Sequence, residues 1–359
     1  GLVGSEMCIR DRTEPKHVIK DYSKLMDLAE YKKYIKKEYQ TIVKLNLSWS
    51  LYFPACSTPP WQLEGVMKKL LDDGYKDLIF VENKTVVTNV EKGAKQNRWE
   101  FVFKKYGQKF VPLTKVEWGV YEPKGEILAI DKIFPDGLKI PKFFIGKNII
   151  HLPQIKCHGH TTITGAMKNA FGGLITERRH HSHKAIHEVL VDLLMIQKEI
   201  HKGIFAVMDG TVCGDGKGPR TMIPRIKNYL LASEDQVAID AVAAKMMGYD
   251  PMSIDFIKIA HEKGLGCGDV KQLDIIGEDI SKINFKFSTK RSPVIFFDQL
   301  FRRKIKFIEP ILFHTGLFNL CIFASAFYHD YLWYNFVGKK RVKDFMKTEW
   351  GKLFLSYHD

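Results

Sequence analysis

TIVKLNL (Thr41–Leu47), PPWQLEGVMKKLLDDG (Pro59–Gly74) and DLIFVEN (Asp77–Asn83) decide the fold. The outer two are short apolar runs and the middle one is amphipathic, so the stretch reads as strand, helix, strand. Pro60 suits the first turn of a helix, where no backbone N–H is needed, and Gly74 suits the position after the last turn, where a left-handed residue is wanted. A helical stretch ending at Lys105, Tyr106 and Gly107, followed by KFVPLTKV (Lys109–Val116), extends the pattern to βαβαβ. Strands joined by helices imply an α/β fold: a mainly parallel sheet, right-handed crossovers and helices on the faces.

Outward from that core the pattern changes. Residues 115–147 carry turn signals at Glu122-Pro123-Lys124-Gly125 and at Pro135-Asp136-Gly137 between short strand-like runs, which predicts a small antiparallel insertion. The α/β pattern resumes with NIIHLPQI (Asn148–Ile155), a helix from about Ser182 to Lys202 capped by Gly203, and the strand IFAVMDG (Ile204–Gly210). Ser233 to Gln236 has the S-x-x-Q spacing of a capping box, opening a helix that ends near Gly248; another helix runs to Gly264. The expected organisation is an N-terminal helical segment over 13–40, an α/β domain over 41–281 and a helical C-terminal region over 282–359.

Residues 1–12 stand apart. LVGSEMCIRDR (Leu2–Arg12) reads as the translation of a sequencing adaptor and is set aside as foreign to the fold, Cys8 with it, so nothing follows about a signal peptide. The other five cysteines are widely spaced and form no CxxC pair. That spacing predicts a reducing, cytoplasmic setting, and it argues against an intrinsic iron–sulfur cluster and a CxxC zinc site.

Charge is unevenly distributed. The 359 residues carry 55 Lys and Arg against 41 Asp and Glu, a net +14, with an ordinary globular share of 45% hydrophobic residues. Residues 282–359 hold 14 of the basic and 6 of the acidic residues, and so read as a separate basic, aromatic tail. Within it PILFHTGLFNLCIFASAFYH (Pro310–His329) has no formal charge and lies between RRKIK (Arg302–Lys306) and GKKRVK (Gly338–Lys343).

The segment richest in chemistry is IHLPQIKCHGHTTITGAMKN (Ile150–Asn169). An apolar strand runs into Lys156 and His158, a turn bearing Thr161 and Thr164, and a helix that starts at Gly165 and carries Lys168 and Asn169. Free N–H groups and the positive end of the dipole at such a helix N-terminus favour an anion; a plain helix cap at Thr164 is the competing reading. Eight of the 13 histidines fall between His151 and His201, and His183 and His187, one helical turn apart, are candidate metal ligands. A solvated helix start at Arg178-Arg179-His180-His181 is the alternative. Asp209 and Gly210 end a strand, where ligands of open α/β sheets bind, and the glycine-rich GTVCGDGKGPR (Gly210–Arg220) reads as a covering loop. Asp240, among small apolar residues in VAIDAVAA, calls for a cation, a site or a paired charge nearby.

Taken together, K-x-H–T-x-x-T-G-x-x-K-N-x-x-G (Lys156, His158, Thr161, Thr164, Gly165, Lys168, Asn169, Gly172), the D-G strand end, the Gly218-Pro219 pair, S-x-D-x-x-A-x-D (Ser233, Asp235, Ala238, Asp240), Gly264–Gly266 and Lys44–Asn46 resemble the family called domain of unknown function 362, over about residues 41–278. The resemblance implies an α/β domain with a polar site and no settled reaction. Some relatives carry ferredoxin-like cluster domains; this chain lacks the cysteine runs, and Cys157 stands where a small hydroxylated residue is expected.

The leading expectation is an enzyme that binds an anionic small molecule, metal-assisted or redox-linked, in a cleft where the loops around His158, Asp209 and Asp240 converge. His158, Lys156 and Asp240 are its catalytic candidates, and Thr161, Thr164, Gly165, Lys168, Asn169, Asp209, Gly210 and Asp235 its ligand-binding candidates. The cofactor is unknown. The alternative is a membrane-peripheral binding or partner protein that lays its basic, apolar tail on an anionic membrane surface, or packs it on its own domain or a second copy. Nucleic-acid binding has the basic pI of about 9.3 and the aromatic, basic tail behind it, but no recognised motif accompanies them, so it is the least favoured reading.

Overall fold

The computed structural model describes residues 6–10, 12–85, 87–175, 181–303 and 317–358. The elements run β1 (Glu6–Arg10), α1 (Val18–Leu28), β2 (Thr41–Lys44), α2 (Pro60–Asp72), β3 (Leu78–Glu82), α3 (Val90–Gln96), α4 (Trp99–Lys105) and β4 (Phe110–Pro112). Strands β5 (Trp118–Tyr121) and β6 (Leu138–Pro141), with α5 (Ile130–Ile133) between them, pair antiparallel as the predicted insertion. Then come β7 (Asn148–His151), β8 (Gln154–His158), β9 (Thr162–Ile163), α6 (Gly165–Leu174), α7 (Ile186–Ile200), β10 (Gly203–Lys217), β11 (Thr221–Ser233), α8 (Gln236–Met247), α9 (Asp255–Glu262) and β12 (Asp274–Gly277). The C-terminal region supplies α10 (Pro293–Arg303), α11 (Phe318–Ala326), a π-helical continuation over Phe327–Gly338, α12 (Lys339–Phe345) and α13 (Glu349–Ser356).

The sheet order is β12-β1-β11-β10-β7-β2-β3-β4, with β8 branching from β10 and carrying β9. From β4 to β10 the strands are parallel, and the β10–β11 hairpin turns the sheet mixed. Apolar side chains fill both faces. Helices α6, α7 and α8 cover one core, which includes Ile149, Met167, Leu190 and Val242, while α1, α2 and α4 cover the other, which includes Val43, Trp61, Phe80 and Phe205. Pro60 opens α2, and Gly74 (φ +81°) and Gly107 (φ +62°) take the left-handed positions the sequence assigns them.

Several local expectations are corrected. Gly203 does not cap α7; it begins β10, where a Cβ would run into the Tyr34 carbonyl, so close approach is what demands the glycine. The stretch read as a covering loop continues β10 to Lys217, where Gly210 leaves room for Ile155 of β8 and Gly214 for Met222 of the paired β11. The cap of α8 is Asp235, whose carboxylate accepts the N–H groups of Val237 and Ala238 at 2.8 and 2.9 Å, while the Ser233 hydroxyl accepts the Asp235 N–H at 3.0 Å.

Glu6–Arg10, whose sequence reads as adaptor-derived, pairs with β11 and β12 and buries Met7, Cys8 and Ile9, a pairing that leaves the origin of the segment untested. One larger expectation is corrected. The tail is not a separate body. Trp350, Phe354 and Tyr357 belong to the second core: Trp350 packs 5.1 Å from Trp61, Phe354 stacks 3.8 Å from Tyr52, and the Tyr357 hydroxyl donates to Glu64 at 2.6 Å.

Candidate functional site

A cavity of about 590 Å³ opens between the ends of β2, β3 and β8, the start of α6, the tip of the β10–β11 hairpin and the tail helices α10 and α11. That size suits a small organic ligand. The αβ body supplies its polar wall: Lys44, Asn46, His158, Lys168, Asn169 and Arg220. The tail supplies the apolar one, through Ile295, Phe297, Phe318 and Ile322. Glu82 is the acidic residue among the described lining residues, and it is spent on Lys44 at 2.6 Å.

His158 ends β8. The backbone N–H of His160 donates to its Nδ1 at 3.2 Å, and the Thr161 hydroxyl lies 3.1 Å from the same nitrogen while donating to the Ile163 carbonyl. An acceptor at Nδ1 puts the proton of the neutral ring on Nε2. Burial pushes the pKa of His158 well below the usual value, and Lys168, His160, His183 and Lys156 push the same way. The ring is therefore neutral and able to donate from Nε2.

Lys156 is also buried, but its ammonium is enclosed. It donates to Asn46 Oδ1 at 2.6 Å, Ser48 Oγ at 2.9 Å and the Cys56 carbonyl at 2.5 Å, while burial pushes its pKa down to about 8. Three acceptors use all three protons. Lys156 thus holds the 46–56 loop, whose Asn46 and Ser48 line the cavity, instead of lining it itself. Asn169 ties the same loop to α6, accepting from Asn46 Nδ2 at 3.2 Å and donating to the Lys44 carbonyl at 3.1 Å. Thr161 and Thr164 are held on backbone carbonyls, Thr164 on that of Gln154 at 3.2 Å.

The expected convergence of His158, Asp209 and Asp240 does not occur. Asp240 lies under the N-terminus of α6, where its two carboxylate oxygens accept the N–H groups of Ala166 (2.5 Å) and Met167 (3.0 Å). The helix end marked for an external anion is thereby occupied by the protein's own Asp240 carboxyl group, and Gly165 (φ +86°) is required because a Cβ there would strike it. Asp209 faces α1 and α2, accepting from the Tyr22 hydroxyl (2.5 Å), Trp61 Nε1 (3.1 Å) and Thr211. Burial raises the pKa of Asp209 to about 6 and that of Asp240 to about 8, against the hydrogen bonds they accept. Gly210 serves strand packing, and Asp235 caps α8 while accepting the Cys267 N–H at 2.8 Å.

His183 and His187 part company. His183 lines the cavity and stacks on His160 at 4.7 Å between ring centroids, whereas His187 accepts the Phe256 N–H through Nδ1. Among the described residues no group of three or more His, Cys, Asp or Glu side chains gathers as a metal site. Residues 178–180, read as part of a solvated helix start, lie outside the described residues.

Two contributors escape the sequence reading. Arg220, the last residue of GTVCGDGKGPR, lines the cavity from the hairpin tip; its Nη2 reaches Ser325 Oγ at 3.5 Å and its solvent-shielded Nη1 has no hydrogen-bond partner among the described residues. The signal available was an arginine directly after the G-P pair. The second is the buried Lys44–Glu82 pair, over which α6 slides because Gly172 and Gly173 carry no side chains; a Cβ at Gly172 would lie 3.2 Å from Lys44 Nζ.

A family model described as a domain of unknown function, DUF362, matches residues 41–245. Among curated proteins, a thylakoid-associated protein of Synechocystis is 26% identical over 161 residues, 44% of this chain and 50% of that protein. The chain thus spans about half the length of the curated relative it matches. No solved structure matches.

Proposed function

Because the chain belongs to the domain of unknown function 362 family, whose description assigns no reaction, we propose from the geometry that the cavity binds a small amphiphilic anion. The observation that carries this reading is Arg220: a buried guanidinium nitrogen without a hydrogen-bond partner among the described residues costs free energy that an anionic group would recover. Lys168 stands on the same polar wall and favours negative charge, and His158 adds a neutral hydrogen-bond donor. The opposite wall of Ile295, Phe297, Phe318 and Ile322 suits a hydrocarbon part.

On this reading His158, a neutral ring lining the cavity with Nδ1 already accepting, serves the ligand as a hydrogen-bond donor, and Lys156 is a positioning residue. Thermal unfolding of the full chain with decyl phosphate, inorganic phosphate and decanol tests the assignment. Decyl phosphate should raise the Tm more than either fragment, and Arg220→Met should remove that rise while leaving the Tm of the ligand-free protein near its original value. Equal responses in the two proteins, or no response to decyl phosphate in the parent, would overturn it.

A further inference from the structure

We infer that the outward face of the C-terminal helix is a docking surface for an anionic lipid bilayer. Leu320, Phe323, Phe327 and Tyr331 recur at three- and four-residue spacing and are 64, 68, 45 and 65% exposed; Phe336 continues the strip at 80%. The rings form a ladder, with Phe323 stacked on Phe327 at 6.2 Å and Phe327 on Tyr331 at 6.0 Å, which places them on one face.

The strip is not a core face left undocked, because the helix has used its other side. Trp49 donates to Asp330 at 2.7 Å and meets Tyr334 edge-on at 5.2 Å, the Tyr334 hydroxyl donates to the Tyr52 carbonyl at 3.1 Å, and His329 is buried. Arg341 is turned inward as well, donating to the Met222 carbonyl at 2.5 Å. What remains outside is apolar, followed one turn on by the exposed Lys339, Lys340 and Lys343. Between residues 317 and 343 the one acidic residue is Asp330, held inward by Trp49.

Aromatic rings beside lysines, with carboxylates withdrawn, match an anionic headgroup layer above an acyl boundary. A second copy fits worse, since the strip from Leu320 to Phe336 presents no outward carboxylate to meet Lys339, Lys340 and Lys343. Among the described residues no helix is long and apolar enough to cross a membrane, so the helix lies along the surface. Its inward residues Ile322 and Ser325 line the cavity, so docking would set the cavity's apolar wall against the lipid.

The test is flotation of the full chain with phosphatidylglycerol-containing vesicles and with pure phosphatidylcholine vesicles. Binding should appear with the anionic vesicles, weaken with salt, and fall about tenfold or more in Phe323→Ser/Phe327→Ser/Phe336→Ser and in Lys339→Gln/Lys340→Gln/Lys343→Gln. Both variants alter exposed side chains and should keep the parent Tm and its decyl phosphate response, which separates this inference from the cavity assignment. No flotation with anionic vesicles, flotation unchanged in both variants, or a strip-dependent dimer that does not float would overturn it.

Discussion

Asp240 shows how far residue chemistry could be anticipated. A carboxylate among small apolar residues demands compensation, and the sequence says so; it does not say that the compensation is the N-terminus of α6, with Ala166 74 positions away, because that pairing exists only once α6 and α8 pack. Asp240→Asn keeps the shape but offers one acceptor for two N–H groups, so it should destabilise the fold by about 2 kcal/mol, read as a lower urea midpoint. A loss under about 0.5 kcal/mol would remove the capping role. Lys156 is the parallel case: K-x-H singles the residue out, yet its three protons go to Asn46, Ser48 and Cys56. Lys156→Met should cost about 3 kcal/mol, since it leaves three buried acceptors without a donor. Wild-type stability in that variant would mean the ammonium is available to a ligand after all.

At the level of elements, periodicity carries the reading wherever one face is buried. β2, α2, β3 and the β5–β6 insertion follow from alternation, helical spacing and the punctuation of Pro60, Gly74 and Gly137. Glycine misleads where it serves contact and not a turn: Gly203, Gly210 and Gly214 look like caps and loop residues but sit in β10 because a neighbouring atom occupies the place of a Cβ. The tail misleads for a related reason. Its aromatic and basic composition suggests independence, but composition cannot show that Trp350 meets Trp61 across 289 positions of chain. Trp350 also donates to Asn228 Oδ1 at 2.8 Å. Trp350→Ala should therefore lower stability by about 3–4 kcal/mol, and unfolding followed at the tail and at the sheet should coincide. Two separate transitions would restore the tail as an independent body.

Over the whole molecule, the α/β architecture and the polar segment around His158 are legible, and the site's composition is not. His158, Lys168 and Asn169 come from one stretch, but Arg220 and the apolar wall arrive through a hairpin and a C-terminal region distant in sequence. Burial of titratable groups is likewise a property of the assembled fold. It holds His151, His201 and His329 near pKa 3 and His158 well below its usual value. In the unfolded chain these four rings take up protons near pH 6.5, so stability is full above that pH and is lost as pH falls through it. Asp209 and Asp240 act in the opposite sense, because the fold holds protons there that the unfolded chain releases above about pH 4, but four imidazoles outnumber two carboxylates. Between about pH 6.5 and 5 the stability from urea unfolding should drop by on the order of 2 kcal/mol per pH unit, and a flat or rising profile would show the rings charged in the fold. The central claim is the anion at Arg220, and a crystal structure of the protein with decyl phosphate addresses it most directly. The account predicts the phosphate within hydrogen-bond distance of Arg220 Nη1 and the alkyl chain along Phe297 and Ile322; a ligand bound elsewhere, or a phosphate turned away from Arg220, would contradict it.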